Sequence, residues 1–266
     1  MKALFLLFSI LFLASACNWS SEDPLYGKQI LEGYHITAID FDNAGNAWLG
    51  TLGQGLIKYD GKNKIVFSEI KDMIRSIKVD SKNQVYIGTN GLVRYDGEKF
   101  SHFNSNNGPI EGHVNAIAID SQDMVYFSVG SFNDGGLGKL NKDILTFYDP
   151  DNSPLPAHWV SGVAVNQQDE VWMASQTSVD DTYLTKLNSQ GQWKVYSPEQ
   201  IGFRPYSITN LQVISNGELF GGIDYSLSSS SGTSRPQLFT YNEIKGKEIT
   251  ANKPFNTNFI LADGSD

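Results

Sequence analysis

The stretch of sequence that decides the fold is Ile36–Gly61, ITAIDFDNAGNAWLGTLGQGLIKYDG. It opens with an apolar-x-x-apolar-x-apolar segment, passes through a polar turn, and continues as an apolar-aromatic-apolar-small segment. The opening phrase recurs in four further copies, at Ile74–Gly88, Val114–Ser128, Val160–Ala174 and Ile208–Gly222. The marker aromatic residues of the five copies are separated by 38, 40, 46 and 48 residues: Trp48, Tyr86, Tyr126, Trp172 and Phe220. The chain is therefore an array of internal repeats.

Each repeat carries four strand signals. A second phrase follows the first, most clearly at Gly55–Gly61 and Gly91–Gly97, and an aromatic-rich stretch such as Ile65–Phe67 ends the repeat. Four strands in a period of about 40 residues are the signature of a β-propeller blade. We therefore predict an all-β propeller of four-stranded antiparallel blades, with five complete blades and the start of a sixth. The predicted propeller spans 27–266, with blades at approximately 35–70, 73–104, 113–150, 159–198 and 207–250, and a partial sixth at 255–266.

The partial sixth blade rests on Asn256–Asp266, which resembles a first strand and its turn. A closed ring leaves no exposed sheet edge, whereas a blade of one strand would leave a large unpaired face. Two interpretations follow. The chain is a piece of a six- to eight-bladed protein, which we favour, or a five-bladed ring closes with help from Leu25–Leu31.

The order I-x-x-I-x-x-D-x-x-G-x-x-W-x-G-T-x-x-G-L-x-x-Y-D-G, nearly complete in Ile36–Gly61, resembles the two-component-regulator propeller repeat. Ile74–Phe100 matches well, later copies match progressively less, and the resemblance covers roughly 34–250. Repeats of this type form the periplasmic sensor regions of hybrid histidine kinases in gut Bacteroidetes and also occur in stand-alone exported proteins. The resemblance implies the fold but no activity, because the residues of the repeat are structural.

Composition narrows the class of partner. The 20 Lys and Arg residues against 29 Asp and Glu residues give a net charge of −9. This balance argues against binding to nucleic acid or to an anionic membrane surface.

The N-terminus reads as an export signal. Met1–Ala16 is a short apolar run that begins with one lysine, and it is followed by Cys17, the only cysteine of the chain. Ala14–Cys17 resembles the lipobox of bacterial lipoproteins, in which the cysteine is acylated and becomes the new N-terminus. We predict a signal peptide at 1–16 and a polar tether at 17–26 that is anchored by lipid on Cys17. The expected location is the outer membrane, facing either the periplasm or the cell surface.

A binding site is expected on one face of the disk. The first-to-second and third-to-fourth strand connections are short, whereas the long loops all fall among the other connections, which share the opposite face. His35, His113 and His158 stand at or just before the first strand of three blades, and Arg75 and Asn115 stand just inside the same mouth. Three roles are open for these residues: they form a polar rim of the channel, they contact a ligand, or they bind a metal. We expect no metal and no cofactor, because positions on separate blades rarely converge on one ion.

Carbohydrate is one ligand that this mouth could take, because sugar rings stack on aromatic faces and hydroxyl groups need polar partners. The candidate contacts are Asn133, Asp134, Trp159, Arg204 and Tyr206. Packing between blades is the alternative role for the aromatic residues of this set.

We therefore expect a non-catalytic, lipid-anchored propeller of the cell envelope that presents a binding face for a glycan, a peptide or a partner protein. One rival is a metal-dependent propeller enzyme, similar to lyases or lactonases, with its site at the channel mouth. Another is a structural subunit of an envelope complex. No nucleophile motif of the G-x-S-x-G type occurs in the sequence, which makes the enzyme the less favoured interpretation.

Overall fold

The computed structural model describes residues 31–131, 133–178, 181–202, 207–214, 216–224, 237–244 and 246–249. The predicted signal peptide, Cys17 with its tether, Arg204, Tyr206 and the predicted sixth blade lie outside the described residues. The chain divides into two compact units, Met1–Tyr34 and His35–Asp266. In the described part of the first unit, Tyr34 donates its backbone N–H to the carbonyl of Leu31.

The second unit is a β-propeller, as the repeats predict: its described residues form five four-stranded antiparallel sheets, each built from consecutive strands. Blade 1 contains β1 (Ile36–Phe41), β2 (Ala47–Thr51), β3 (Leu56–Tyr59) and β4 (Lys64–Phe67). Blade 2 contains β5 (Ser76–Val79), β6 (Val85–Thr89), β7 (Gly91–Tyr95) and β8 (Phe100–Phe103). Blade 3 contains β9 (His113–Ile119), β10 (Val125–Gly130), β11 (Gly136–Asn141) and β12 (Ile144–Tyr148). Blade 4 contains β13 (Trp159–Val165), β14 (Val171–Ser178), β15 (Asp181–Leu187) and β16 (Trp193–Tyr196). Blade 5 follows the short helix α1 (Pro198–Ile201) and contains β17 (Ser207–Val213), β18 (Leu219–Asp224), β19 (Gln237–Tyr241) and β20 (Gly246–Ile249).

Apolar clusters hold successive blades together. Trp48 of blade 1 and Ile87 of blade 2 belong to one cluster, and equivalent clusters join blades 2 and 3, 3 and 4, and 4 and 5. The second strands β2, β6 and β10 are buried along their whole length, because each is covered on both faces of its sheet. The first strands pack in the order β1, β5, β9, β13 and β17. This packing places the first strands around the centre of the disk.

Close approach between blades explains the small residue near the end of the second strand in blades 1 and 2. A side chain on Gly50 would collide with Ile74 of the next blade, and one on Gly88 would collide with Ser76 and with the carbonyl oxygen of Val114. The "small" position of the repeat is therefore a packing requirement.

The aspartate of the repeat closes the turn between the first two strands. Oδ1 of Asp42 accepts the backbone N–H groups of Ala44 and Asn46, at 3.1 and 2.9 Å. The same pair of bonds is made by the equivalent residues of blades 2, 3 and 4: Asp80, Asp120 and Asn166. Burial raises the pKa of the Asp42 carboxyl, but hydrogen bonds from Asn46, Lys58 and Trp48 outweigh it and hold the pKa at about 2.

Candidate functional site

The five first strands line a central cavity of about 470 Å³. An apolar residue at the end of each strand borders it: Phe41, Val79, Ile119, Val165 and Val213. Polar side chains border the rest of it, including Arg75, Lys78, Asn115 and Asp40. A concave space of this size is large enough for a small molecule, and it offers both polar and apolar groups.

A β-bulge recurs near the start of the first strand. In blades 1, 3 and 4 the register against the second strand shifts at Thr37, Asn115 and Ser161. Arg75 is their counterpart in blade 2, where it directly precedes β5 and donates its backbone N–H to the carbonyl of Gly88 at 2.8 Å. A bulge re-aims the side chain of its extra residue. The direction of the side chain at the bulge residue therefore cannot be predicted from the inward and outward alternation of side chains along a strand.

Most bulge side chains link one blade to the next. The Thr37 hydroxyl donates to the carbonyl of Ile74 at 2.5 Å, and the Ser161 hydroxyl donates to the carbonyl of Ile208 at 2.7 Å. In blade 2 the hydroxyl that bonds the next blade belongs instead to Ser76, which reaches the carbonyl of Val114 at 3.3 Å. Arg75 is thereby released from the link that Thr37 and Ser161 make.

Arg75 has an unsatisfied donor. Its side chain is half-buried, and its Nε is buried with no hydrogen-bond partner among the described residues. Arg94, on the third strand of the same blade, also has a buried Nε without a hydrogen-bond partner. Its other two nitrogens, however, donate to the carbonyl of Lys142 at 2.8 Å and to the carboxylate of Asp143 at 2.7 Å. Within the described residues no carboxylate forms an ion pair with Arg75.

His113 lies beside Arg75 and is held neutral. Partial burial lowers the pKa of His113, the charge of Arg75 lowers it further, and Asp72 opposes both effects. Its Nδ1 lies 2.6 Å from Oδ1 of Asn90. Since that oxygen only accepts, we assign the proton to Nδ1, which leaves Nε2 as an acceptor.

The structure brings together some of the residues that the sequence predicts for the site. Arg75 and Asn115 both line the cavity. Asn115 lies against Gly130, where a side chain would collide with its amide, and the Trp159 ring would lie 3.6 Å from the same added carbon. Blades 2, 3 and 4 therefore all contribute to this part of the mouth.

The other predicted residues lie away from the cavity lining. His35 is exposed, and its backbone N–H bonds Gln54. His158 is half-buried, with Nδ1 at 3.3 Å from the carbonyl of Gly135. Asn133 and Asp134 are exposed in the turn between β10 and β11. The three histidines thus share a place in the repeat, but their side chains contact different groups.

The sequence reasoning missed Asp40, Lys78 and Asn90. Asp40 and Lys78 occupy the same position of adjacent first strands and lie 3.8 Å apart in the lining of the cavity. The signal was present, since charged residues interrupt otherwise apolar strands at matched places in two repeats. Asn90 stands between β6 and β7, a connection on the face that the sequence favours.

The described residues contain no group of three or more His, Cys, Asp or Glu side chains that could hold a metal ion. No helix in the described part of the chain is long and apolar enough to cross a membrane.

Comparison with known proteins shows the fold. No family model and no curated protein sequence matches the chain. Among solved structures, the extracellular domain of BT4673 from B. thetaiotaomicron, described as a one-component system, matches with a TM-score of 0.61 at 17% identity. That match covers 85% of this chain and 32% of the other, so the chain spans about a third of that structure.

Two propeller enzymes match equally well. A catalytically inactive virginiamycin B lyase from Staphylococcus aureus, solved with quinupristin, has a TM-score of 0.63 at 9% identity over 85% of this chain and 73% of that one. The GH74 enzyme of Niastella koreensis has a TM-score of 0.60 at 15% identity over 80% of this chain and 38% of that one. The same fold thus occurs in an extracellular sensor-type domain and in two enzymes, and fold alone does not decide function.

Proposed function

We propose that this protein is a non-catalytic propeller of the cell envelope that binds a ligand, such as a glycan, a peptide or a partner protein, at the mouth of its central cavity. One observation carries the proposal. At the bulge position where Thr37 and Ser161 join neighbouring blades, blade 2 has Arg75, whose guanidinium makes no such link and keeps a buried donor unpaired.

The energetic argument favours a binding role for this arginine. A buried donor without a partner costs roughly 1–3 kcal/mol. Ser76 already joins blades 2 and 3, so Arg75 adds no link between the blades that would offset this cost. A ligand anion on the terminal nitrogens of Arg75 would offset this cost through its charge, since Nε itself is buried and out of reach of a ligand. Asn115, which also lines the cavity, adds a neutral donor and acceptor, and His113 lies close enough to Arg75 for their charges to interact.

Export and lipidation remain part of the proposal. They are supported by the apolar run at Met1–Ala16 and by the lone Cys17 that follows it. The likeness to the extracellular domain of BT4673 supports an exported domain. Lipid on Cys17 would hold the propeller at the outer membrane.

The test is a binding screen on the purified protein against a glycan array, a peptide library and envelope extracts. Arg75→Gln is compared with Lys99→Gln, which removes a charge from an exposed turn at the other face of the same blade. We expect a ligand that is not converted, with affinity lowered at least tenfold by Arg75→Gln and by less than twofold by Lys99→Gln.

The rival functions give different results in the same screen. Conversion of a bound compound, lost on treatment with a chelator, would indicate the metal-dependent enzyme. A fixed envelope protein that co-purifies equally with both variants would indicate a structural subunit. Absence of any bound compound or partner would overturn the proposal.

A further inference from the structure

We infer that the group recognised at the cavity mouth is a carboxylate; this inference rests on the proposed function and names the chemistry of its ligand. It starts from the charge balance of the cavity. Among the described residues that line it, three are charged: Asp40, Arg75 and Lys78. Asp40 and Lys78 face each other at 3.8 Å, which leaves the charge of Arg75 without a counter-charge.

The positive charge of the cavity lining contrasts with the negative net charge of the whole chain. Its net charge is −9, yet the cavity lining carries a net charge of +1. Asp72, whose negative charge raises the pKa of His113, forms no ion pair with Arg75 within the described structure. A cationic site binds an anion in preference to a neutral ligand, because only the anion gains the Coulomb attraction to the local positive charge.

The guanidinium group of Arg75 points to a carboxylate. Its Nε is buried and out of reach of a ligand, so the nitrogens that can bind one are the two terminal Nη atoms, which form no hydrogen bond or ion pair within the described residues. A planar acid can bind these two nitrogens end-on, one oxygen on each, and such a forked pairing is the strong form of an arginine interaction. Because Ser76 performs the link between blades 2 and 3, the terminal nitrogens are available to receive such a group.

The surroundings add a preference for an acid that also carries hydroxyl groups. His113 donates through Nδ1 to Asn90 and is held neutral, so its Nε2 accepts hydrogen bonds. The Asn115 amide both donates and accepts. A cavity of about 470 Å³ has room for one or two small rings beside the acid group. Acidic sugars and the C-terminal end of a peptide both supply this carboxylate.

The first experiment needs no knowledge of the natural ligand. The melting temperature of the protein is measured in sodium acetate and in sodium chloride of equal ionic strength, for the native protein, Arg75→Gln, Arg75→Lys and Lys99→Gln. A ligand that binds only the folded state raises the melting temperature. We expect acetate to raise it for the native protein and for Lys99→Gln, to raise it less for Arg75→Lys, and to leave Arg75→Gln unchanged. An equal response of the native protein and Arg75→Gln would overturn the inference.

The second experiment separates the sources of the acid by calorimetry. Glucuronate is compared with its methyl ester, and an acetylated dipeptide with a free C-terminus is compared with its amide. We expect one acid to bind at least tenfold more tightly than its neutral partner, and Arg75→Gln to remove that difference. If a compound from the binding screen depends on Arg75 but is bound equally well as acid and as neutral derivative, the proposed function stands and the carboxylate inference fails. If no compound in the screen depends on Arg75, the proposed function fails first.

A stability measurement checks that Arg75 has no structural role. Without ligand, Arg75→Gln should melt at the same temperature as the native protein or higher, because an unpaired buried donor is removed. Thr37→Val, which removes a link between blades 1 and 2, should melt about 2–4 °C lower. If Arg75→Gln melts lower than Thr37→Val, the arginine supports the fold and the inference is wrong.

Discussion

Trp48 donates its indole N–H to Oδ2 of Asp42 over 3.2 Å, so the turn between β1 and β2 is fastened to the ring that fills the interface of blades 1 and 2. The same relationship recurs in two more blades, with Tyr86 on Asp80 at 3.4 Å and Tyr126 on Asp120 at 3.5 Å. In each of these three blades the bond joins an aspartate to the aromatic residue six positions later in the repeat. The repeat therefore encodes a turn and its anchor together.

The first prediction concerns the buried carboxylate. Asp42→Ala removes the acceptor for two backbone N–H groups, for the indole and for Lys58, which lies 3.2 Å away. We expect a loss of about 2–3 kcal/mol in the free energy of unfolding, because several donors are left unpaired at a buried site. Urea unfolding measures it. Asp60→Ala is the control, since Asp60 closes a similar turn in solvent, and its loss should be clearly smaller. Equal losses would show that burial of the carboxylate is unimportant.

The second prediction concerns how the contribution of the Asp42 carboxyl to stability depends on pH. The folded pKa of Asp42 is about 2, below the value of 3.8 for the free side chain. A depressed pKa stabilises the folded state above pH 3.8, and this contribution falls as the pH drops from 3.8 toward about 2. The difference in unfolding free energy between the native protein and Asp42→Asn should therefore shrink between pH 5 and pH 2. A difference that stays constant over this range would contradict the assignment.

Much of the fold is predictable from the sequence because the residues that define a blade act locally. The Asp42 turn, the Trp48 anchor and the small Gly50 are each tied to their own repeat, so five copies of the phrase predict five blades. The bulge at Thr37, Asn115 and Ser161 is less visible, because it breaks the period of two on which strand prediction depends. It can be inferred only from the pairing of the strands.

The candidate site was only partly predictable for the same reason. Arg75 and Asn115 were placed at the mouth because the repeat fixes their position. His35 and His113 directly precede their repeat copies and His158 stands two residues before its copy, but the loops around them differ, and none of the three lines the cavity. One correction concerns a loop: Gln176–Thr182, which the sequence suggests is a long connection, consists mainly of the ends of β14 and β15.

The third prediction concerns a chain of contacts between turns. Asp123 has a φ of 61° and accepts the backbone N–H and the hydroxyl of Ser81, at 3.0 and 2.8 Å, as well as the ammonium group of Lys82. Asn83 and Asp169 make equivalent contacts with the turns of their preceding blades, whereas blades 1 and 5 have glycine at this position. The side chain thus joins blades 2 and 3 at the face opposite the mouth.

A substitution series at Asp123 separates the two parts of its role. Asp123→Asn keeps an acceptor, Asp123→Gly keeps only the freedom to adopt positive φ, and Asp123→Ala keeps neither. We expect stability to fall in that order, with about 1–2 kcal/mol lost for alanine in urea unfolding. Asp143→Ala is the control: it removes an exposed carboxylate, while its largely buried partner Arg94 keeps the hydrogen bond to the carbonyl of Lys142, so it should cost less than Asp123→Ala. If alanine and asparagine behave alike, the contact between turns contributes nothing.

The fourth prediction tests the close approach of blades 2 and 3. The β-carbon in Gly88→Ala would meet the Ser76 hydroxyl, which can rotate away, and the carbonyl oxygen of Val114, which cannot move without blade 3. We expect a loss of about 1–3 kcal/mol in unfolding free energy. In the matched variant Gly108→Ala the nearest atom is the tip of the Leu145 side chain, at 3.3 Å, so stability should change by less than about 1 kcal/mol. Similar losses in the two variants would mean that the blades can separate freely at Gly88.

The last prediction concerns the anchor that the sequence indicates at Cys17. If this thiol is acylated after removal of 1–16, cells fed labelled palmitate should produce a labelled protein that partitions into detergent. Cys17→Ser should yield an unlabelled protein, because no other cysteine is present to replace it. Each buried CH₂ of an acyl chain contributes about 0.8 kcal/mol to membrane binding, so loss of the chains should release the protein from the membrane fraction. A Cys17→Ser protein that remains membrane-bound would place the attachment elsewhere in the chain, and an unlabelled native protein would remove the lipid anchor from the proposal while leaving the Arg75 site untouched.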